Sequence, residues 1–387
     1  MINLIQEVID RVGPRPAGSE AERKAQIIVA DKCKAFTPKV KILEFDEYLY
    51  ARFGKLKYYC AFYGIALLLY YFNQHAIAFV VALANAVAFI FDFMTYRVLV
   101  RNFPGPKMKS WNVEATLEPQ GEVKNTLLFS GHIDSVYEFK WWYKLGQQGA
   151  QLTVIAGLLI VLLPMFYLMS LGFPGAWANY GFVGFLVLSP SLVAYFNMHG
   201  PNPVDGACDN LSGVAIAFDV VKNFADPNQP GRSTLKNTRL KFVSFGSEET
   251  GLTGSMAYVK MQKDELKSEK AHLINIDSIR LPEEVCIVKK ETMNGTKYDA
   301  NLISRLQKSF GAKNIPIKTG ATPIGGTDGV FFMRAGIPAV SIIGLGMGKL
   351  DPTYHTRRDI VANLNPVALE NVKNGLIEFV QQWDSGH

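Results

Sequence analysis

Two long stretches of this sequence carry no charge. Residues 58–91 contain no Asp, Glu, Lys or Arg, and neither do residues 145–204. Cysteine is scarce: four in 387 residues, at positions 33, 60, 208 and 286, with no CxxC pair. That excludes a small secreted disulfide framework and reads as free thiols in a reducing compartment. No internal repeat and no low-complexity linker interrupts the chain. No basic run interleaved with aromatics suggests a nucleic-acid groove. The start, MINLIQEVIDRVG, reads as an amphipathic helix with an acid in its second turn, so no cleavable leader is expected. A composition of 49% apolar and 19% charged residues excludes a disordered chain, a coiled coil and a collagen-like fibre.

The shortage of charge is local. The uncharged stretches span 94 residues, so the other 293 carry all 74 charges, about 25%, the usual globular share. The chain therefore reads as a globular domain interrupted twice. The first insert runs YYCAFYGIALLLYYF, then Asn73-Gln74-His75, then AIAFVVALANAVAFIFDFM. The second runs QLTVIAGLLIVLLPMFYLMSL, a GFPGAWAN tip, then YGFVGFLVLSPSLVAYF. Each is two apolar arms about a polar or Gly/Pro-rich turn, with arms of roughly 15–20 residues, near the length that crosses a bilayer core. Tyr, Trp and Phe gather at the ends, as in interfacial belts. Buried core helices or an oligomer interface is the alternative reading, and oligomeric state is left open.

The flanks suggest an orientation. Arg52, Lys55 and Lys57 precede the first hairpin, Arg97, Arg101, Lys107 and Lys109 follow it, and Lys140 and Lys144 precede the second. Neither tip carries Lys or Arg. The positive-inside rule puts the globular part in the cytoplasm and the tips outside. The expectation is a multi-pass integral membrane protein with four transmembrane helices: hairpins at 58–91 and 145–204, and one catalytic domain built from 1–57, 92–144 and 205–387.

Within the globular pieces, Ser19 and Glu22 form a capping-box pattern ahead of a helical period. VKILEFDEYLYARF and WNVEATLE read as strands. TLLFSG (126–131), LKFVSFG (240–246), HLINID (272–277) and IPAVSII (337–343) are short apolar runs of the buried-strand kind. They alternate with helical runs VAIAFDVVKNF, SMAYVKMQKDEL, TKYDANLISRLQKSF and PVALENVKNGLIEFVQQW. The fold class expected is α/β, a mixed, mostly parallel sheet with helices on both faces, interrupted by the two hairpins. Ligands in such sheets sit beyond the carboxyl ends of the strands.

The chemistry-bearing residues lie at those ends. TLLFSG is followed by His132-Ile133-Asp134, LKFVSFG by Ser247-Glu248-Glu249, and HLINI ends on Asp277. Gly206-Ala207-Cys208-Asp209-Asn210 opens a helix, and Tyr354-His355-Thr356 follows the last clear strand. Singly, each is ordinary: a strand-end accident, a solvated turn, a helix cap. Together they gather two imidazoles and several carboxylates at one sheet edge. Zinc takes such nitrogen and oxygen donors. Two His and three carboxylates suffice for two metals sharing a bridging carboxylate, which can polarise a carbonyl and acidify a water. One more carboxylate is needed to move the proton.

The stretches GPRPAGSEAE, LLFSGHIDSV, GACDNLSGVA, FGSEETGLTGS, INIDSI, GGTDGVFFMRAGIPAV and YHTRRD together resemble the zinc-dependent exopeptidases of clan MH. That family includes leucyl aminopeptidases, glutamate carboxypeptidase, glutaminyl cyclases and the transferrin-receptor ectodomain. The resemblance covers nearly all of the globular part, in the family's order. It implies two zinc ions: one on His132 and Asp277, the other on Glu249 and His355, with Asp209 bridging and its bond to Asn210 typically cis. It implies Glu248 as general base and then acid, Asp134 holding the second nitrogen of His132, and Tyr354 as donor to an oxyanion. The expected activity is that of a membrane-anchored dizinc aminopeptidase acting on peptides and associated with the lipid bilayer. A carboxypeptidase, dipeptidase or other amide hydrolase is the alternative; Arg280, Arg357 and Arg358 flank ligand motifs and could read a substrate carboxylate. A glutaminyl cyclase-like or receptor-like protein fits the full ligand set less well.

Overall fold

Along the chain, β-branched and aromatic runs form the strands and the longer amphipathic or apolar runs form the helices. The order is α1 (Ile2–Val12), α2 (Glu20–Lys34), β1 (Val40–Glu47), α3 (Leu56–Tyr71), α4 (His75–Phe89), β2 (Met108–Leu117), β3 (Asn125–His132) and β4 (Tyr137–Phe139). Then follow α5 (Lys140–Leu145), α6 (Gln147–Gly172), α7 (Ala176–Leu188), α8 (Val193–Phe196), β5 (His199–Pro203), α9 (Gly213–Asn223), β6 (Thr238–Phe245), α10 (Thr253–Ser268) and β7 (Ala271–Asp277). The chain closes with β8 (Cys286–Glu291), β9 (Thr296–Lys297), α11 (Ala300–Ala312), β10 (Lys318–Thr322), α12 (Gly329–Arg334), β11 (Ala339–Ile343) and α13 (Pro366–Ser385). The computed structural model describes residues 1–48, 52–100, 103, 105–344 and 351–386; Arg101, counted among the basic flanks, lies outside the described residues.

The chain divides into two compact units: Met1–Glu47 with Met108–Tyr137 and Pro203–His387, and Tyr48–Lys107 with Glu138–Asn202. The first holds a nine-stranded sheet in the order β1-β2-β6-β3-β7-β11-β8-β10, with β9 paired to β8. Strands β6, β3, β7 and β11 run parallel; β1, β2 and β8 pair antiparallel to their inner neighbours. The parallel strands are continuous apolar runs because both faces are covered. On β6, Phe242 and Phe245 are three residues apart and so face opposite sides. Phe242 meets Phe218 of α9, and Phe245 meets Tyr258 of α10 and Phe332 of α12.

Three local expectations are corrected. Strand β1 ends at Glu47 rather than running on to Phe53, because its partner β2 begins opposite, at Met108. Helix α11 starts at Ala300, not 296: Thr296 and Lys297 pair with β8, and the Asp299 carboxylate caps the helix by accepting the Leu302 N–H at 2.8 Å. The Ser19 hydroxyl accepts the Glu22 N–H as a capping box requires, but the Glu22 carboxylate turns inward instead of closing the box on Ser19.

The second unit is mainly helical, with most of the two-stranded sheet of β4 and β5. Among its described residues, three helices are long and apolar enough to cross a membrane: His75–Met94, Gln147–Gly172 and Ala176–Phe196. The expected fourth, α3, has 16 residues, about 24 Å at the helical rise, short of a hydrocarbon core of about 30 Å. The unit also extends beyond the uncharged stretches, because the flanking charges pack inside it. Lys55 Nζ lies 2.5 Å from Asp92 Oδ2, which also accepts the Tyr59 hydroxyl at 2.8 Å. The Arg52 guanidinium lies over the Phe53, Phe93 and Tyr96 rings. Tyr63 donates to the Phe185 carbonyl and Tyr167 to the Ala66 carbonyl, each at 3.0 Å, so the two hairpins form one bundle.

In the sheet unit, helix α9 approaches the sheet with almost no space between. A Cβ added at Gly213 would lie 2.2 Å from the Ile276 carbonyl oxygen, and one at Gly131 would lie 2.6 Å from the Val214 nitrogen. Overpacking of this kind costs about 1–3 kcal/mol. Gly213→Ala is expected to lower stability by that amount in urea unfolding; an unchanged midpoint would show that the helix can shift freely.

Candidate metal centre

The sheet register brings the first residues together. In the parallel pair β3/β7, Ser130 is level with Asn275, each two residues before the strand's last member, His132 or Asp277. On the other side of β3, His132 is level with Phe245, after which the chain turns through Gly246 and Ser247 to Glu248 and Glu249. Asp209 comes from the irregular segment Ala207–Ser212 before α9, and its peptide bond to Asn210 is cis. His355 follows β11. Three non-glycine residues at these turns adopt left-handed backbone: Ser247 (φ 52°), Ser278 (φ 56°) and His355 itself (φ 55°). Such conformations are uncommon outside glycine and persist where surrounding structure enforces them.

Asp209 is the middle of the cluster. Its Oδ1 lies 3.1 Å from His132 Nε2 and its Oδ2 lies 3.1 Å from His355 Nε2. Glu249 Oε2 is 3.3 Å from His355 Nε2. Glu248 Oε2 and Asp277 Oδ1 are 3.8 and 3.9 Å from His132 Nε2. Donor atoms of His132, Asp209 and Glu249 lie within 4.8 Å of one another, as do those of His132, Glu248 and Asp277. All five expected ligands and the expected base therefore meet, and all are buried. Glu248 stands as near to His132 as Asp277 does, so distance alone leaves it able to act as ligand or base. The Tyr354 ring stacks on His355 at 3.8 Å.

Asp134 does more than the expected work. Its carboxylate lies 3.4 Å from His132 Nδ1, but it accepts the N–H groups of Glu248 and Glu249, both at 3.0 Å. Asp359 repeats the device: its carboxylate accepts the N–H groups of Cys208 at 2.6 Å and Asp209 at 3.0 Å. Each aspartate ties one histidine's loop to a carboxylate loop. Glu22, fully buried, accepts the Ser247 N–H at 2.7 Å and the Gly18 N–H at 2.9 Å. Sequence reasoning assigned no such role to Asp359 or Glu22. The one signal for Asp359 is its place four residues after His355.

The electrostatics suit a cation. Burial, then neighbouring carboxylates, push Glu248 and Glu249 well above the usual carboxylate range, and burial raises Asp277 to about 6. Burial would also raise Asp209, but hydrogen bonds from His132 and His355 hold it below its ordinary value. For His132, burial acts downward, and Glu248, Asp134 and Asp209 outweigh it. Asp328, also buried and raised to about 7 by that burial, adds to the negative field. Glu249 Oε1 is buried without a hydrogen-bond partner. Crowded oxygen donors, two imidazoles and an orphaned carboxylate oxygen fit divalent metal: like charges in a buried site resist ionisation until a cation neutralises them.

The fold and donor set define an α/β protein of the zinc aminopeptidase architecture. The chain superimposes on the zinc aminopeptidase BSAP from Bacillus subtilis with a TM-score of 0.58 at 15% identity, covering 99% of this chain and 94% of that one. A glutaminyl cyclase from Porphyromonas gingivalis gives a TM-score of 0.58 at 14% identity, covering 99% and 96%. In sequence, residues 190–380 match Peptidase family M28. Aminopeptidase YwaD from Bacillus subtilis (strain 168) is 25% identical over 170 residues, 43% of this chain and 35% of that protein. This chain thus spans about a third of that relative's length.

Zinc added to metal-stripped protein is expected to raise its melting temperature, and Asp209→Ala to remove most of that rise. A parent chain indifferent to zinc would contradict a metal centre.

Proposed function

We propose that the protein is a membrane-anchored dizinc aminopeptidase that removes N-terminal residues from peptides. The observation that carries this is Asp209, whose two carboxylate oxygens each face a different histidine at 3.1 Å. One metal would be held by His132, Asp277 and Asp209, the other by Glu249, His355 and Asp209. When bound, zinc supplies Lewis-acid polarisation of a carbonyl and lowers the pKa of water.

The remaining steps belong to side chains. Glu248, raised by burial and nearby carboxylates, is suited to take a proton from the attacking water and return it to the leaving amine. Asp134 fixes the Glu248 backbone, so the carboxylate swings from a held main chain. The Tyr354 phenol is pushed well up by burial and then by Asp209 and Glu249, so it stays protonated and can donate to an oxyanion. The substrate's free amine would lie against the site carboxylates. Arg280 is already engaged by Glu284 at 2.8 Å and Asp351 at 2.6 Å, which argues against its use as a carboxylate reader.

Membrane anchoring rests on the three long apolar helices and on the exposure of Phe173, Tyr180 and Val187. The basic flanks favour a cytoplasmic catalytic unit with Asn73 at an outside tip.

Glu248→Gln is expected to abolish hydrolysis while two zincs per chain remain bound; loss of zinc with activity would make Glu248 a ligand instead. Free-amine peptides should be cleaved and their N-acetyl forms spared, whereas the reverse would favour the carboxypeptidase. A cysteine at Asn73 should react with an impermeant maleimide on intact cells, and labelling only after permeabilisation would invert the topology.

A further inference from the structure

Beneath the metal centre lies a guanidinium that no step above uses. Arg15, in the loop between α1 and α2, has no solvent exposure. Its Nε donates to the Ile133 carbonyl at 2.7 Å, Nη2 to the Gly206 carbonyl at 3.2 Å and Nη1 to the Gly13 carbonyl at 2.8 Å. Its own backbone is pinned both ways to Ser135: the Arg15 N–H donates to the Ser135 hydroxyl at 2.9 Å, and the Ser135 N–H to the Arg15 carbonyl at 3.0 Å. Ile133 follows His132, and Gly206 precedes Asp209 by three residues. One side chain thus joins the loops that carry the first histidine and the central aspartate.

Gly206 makes the contact possible. Its φ is 60°, and an added Cβ would lie 2.7 Å from the Asp209 carbonyl, 2.8 Å from Ser135 Cβ and 3.0 Å from Arg15 Nη2. The guanidinium therefore comes directly against backbone. Burial lowers its pKa to about 10, and the attraction of Asp359, Asp134 and Asp205 opposes that fall. Arg15 remains a cation at neutral pH, close to both aspartates that hold the ligand loops by their amides. A lysine could keep the charge but not the planar fork that reaches two loops at once.

We propose that Arg15 is a positioning residue of the metal centre, fixing the His132 loop against the Asp209 loop and offsetting the negative charge gathered behind them. The inference rests on the metal-centre reading. Groups that support metal ligands typically change affinity by about 10–100-fold when altered.

The test uses full-length purified protein, stripped of metal and titrated with zinc against a chromophoric chelator. Arg15→Lys is expected to melt, metal-free, within a few degrees of the parent. Its zinc affinity should fall roughly 10–100-fold, and kcat should fall with KM near the parent value. Ser135→Ala, which removes only the hydroxyl that accepts the Arg15 N–H and keeps the return bond to the Arg15 carbonyl, should shift zinc affinity in the same direction by less. Parental zinc affinity in Arg15→Lys would overturn the proposal. So would losses of zinc binding that merely track losses of metal-free stability. Should Arg15→Lys not fold, Ser135→Ala decides: unchanged zinc affinity there overturns it. A parent chain that binds no zinc would instead sink the metal-centre reading, which separates the two failures.

Discussion

Crowded negative charge in a buried place is the constraint on which the sheet unit depends. Four carboxylates and two imidazoles meet where five chain segments converge, nearly out of reach of water. Such a gathering is costly unless cations and amide dipoles answer it. The chain supplies part of that answer in advance. Asp134 and Asp359 spend their oxygens on backbone N–H groups, Glu22 on two more, and Arg15 brings a fixed positive charge behind them. The field left over, centred on Asp209 between its two histidines, is of the sign and shape that a metal cation completes.

The candidate ligands were legible in the sequence for a physical reason. A parallel sheet presents the residues after its strands on one edge, and apolar runs ending in His, Asp or Glu mark those edges. His132, Glu248, Glu249 and Asp277 announce themselves this way, and Asp209 opens a helix at the same edge. The supporting groups were not legible. Arg15, Glu22 and Asp359 bond chiefly to backbone atoms of residues distant in sequence, and backbone partners leave no trace in side-chain pattern. Asp134 does face the second nitrogen of His132, through its backbone carbonyl at 3.2 Å and its carboxylate at 3.4 Å, but the two amides its carboxylate also accepts lie more than a hundred positions away and left no signal. The outer strands β8 and β10 escaped for another reason: CIVKKE and KTGAT carry the charge and glycine of partly covered strands rather than a continuous apolar run.

In the helical unit, lack of charge was a good guide to what is helical and a poorer one to where the unit ends. Lys55, Asp92 and Arg52 lie beyond or at the rims of the uncharged stretches, yet they are buried within the unit. Paired with a carboxylate or laid over aromatic rings, they behave there as packing groups.

The order of segments has a consequence for synthesis. Strand β3 lies between β6 and β7, which come after residue 237, while the helical unit is complete by residue 202. When the ribosome has made the last apolar helix, β3 still lacks both neighbours, and His132 waits for the rest of its site. The second histidine of the site, His355, comes after β11, the last strand to be made. A nascent chain therefore lacks a complete candidate site until every strand of the sheet has been made, and its half-built sheet stays open along β3 until β6 and β7 follow.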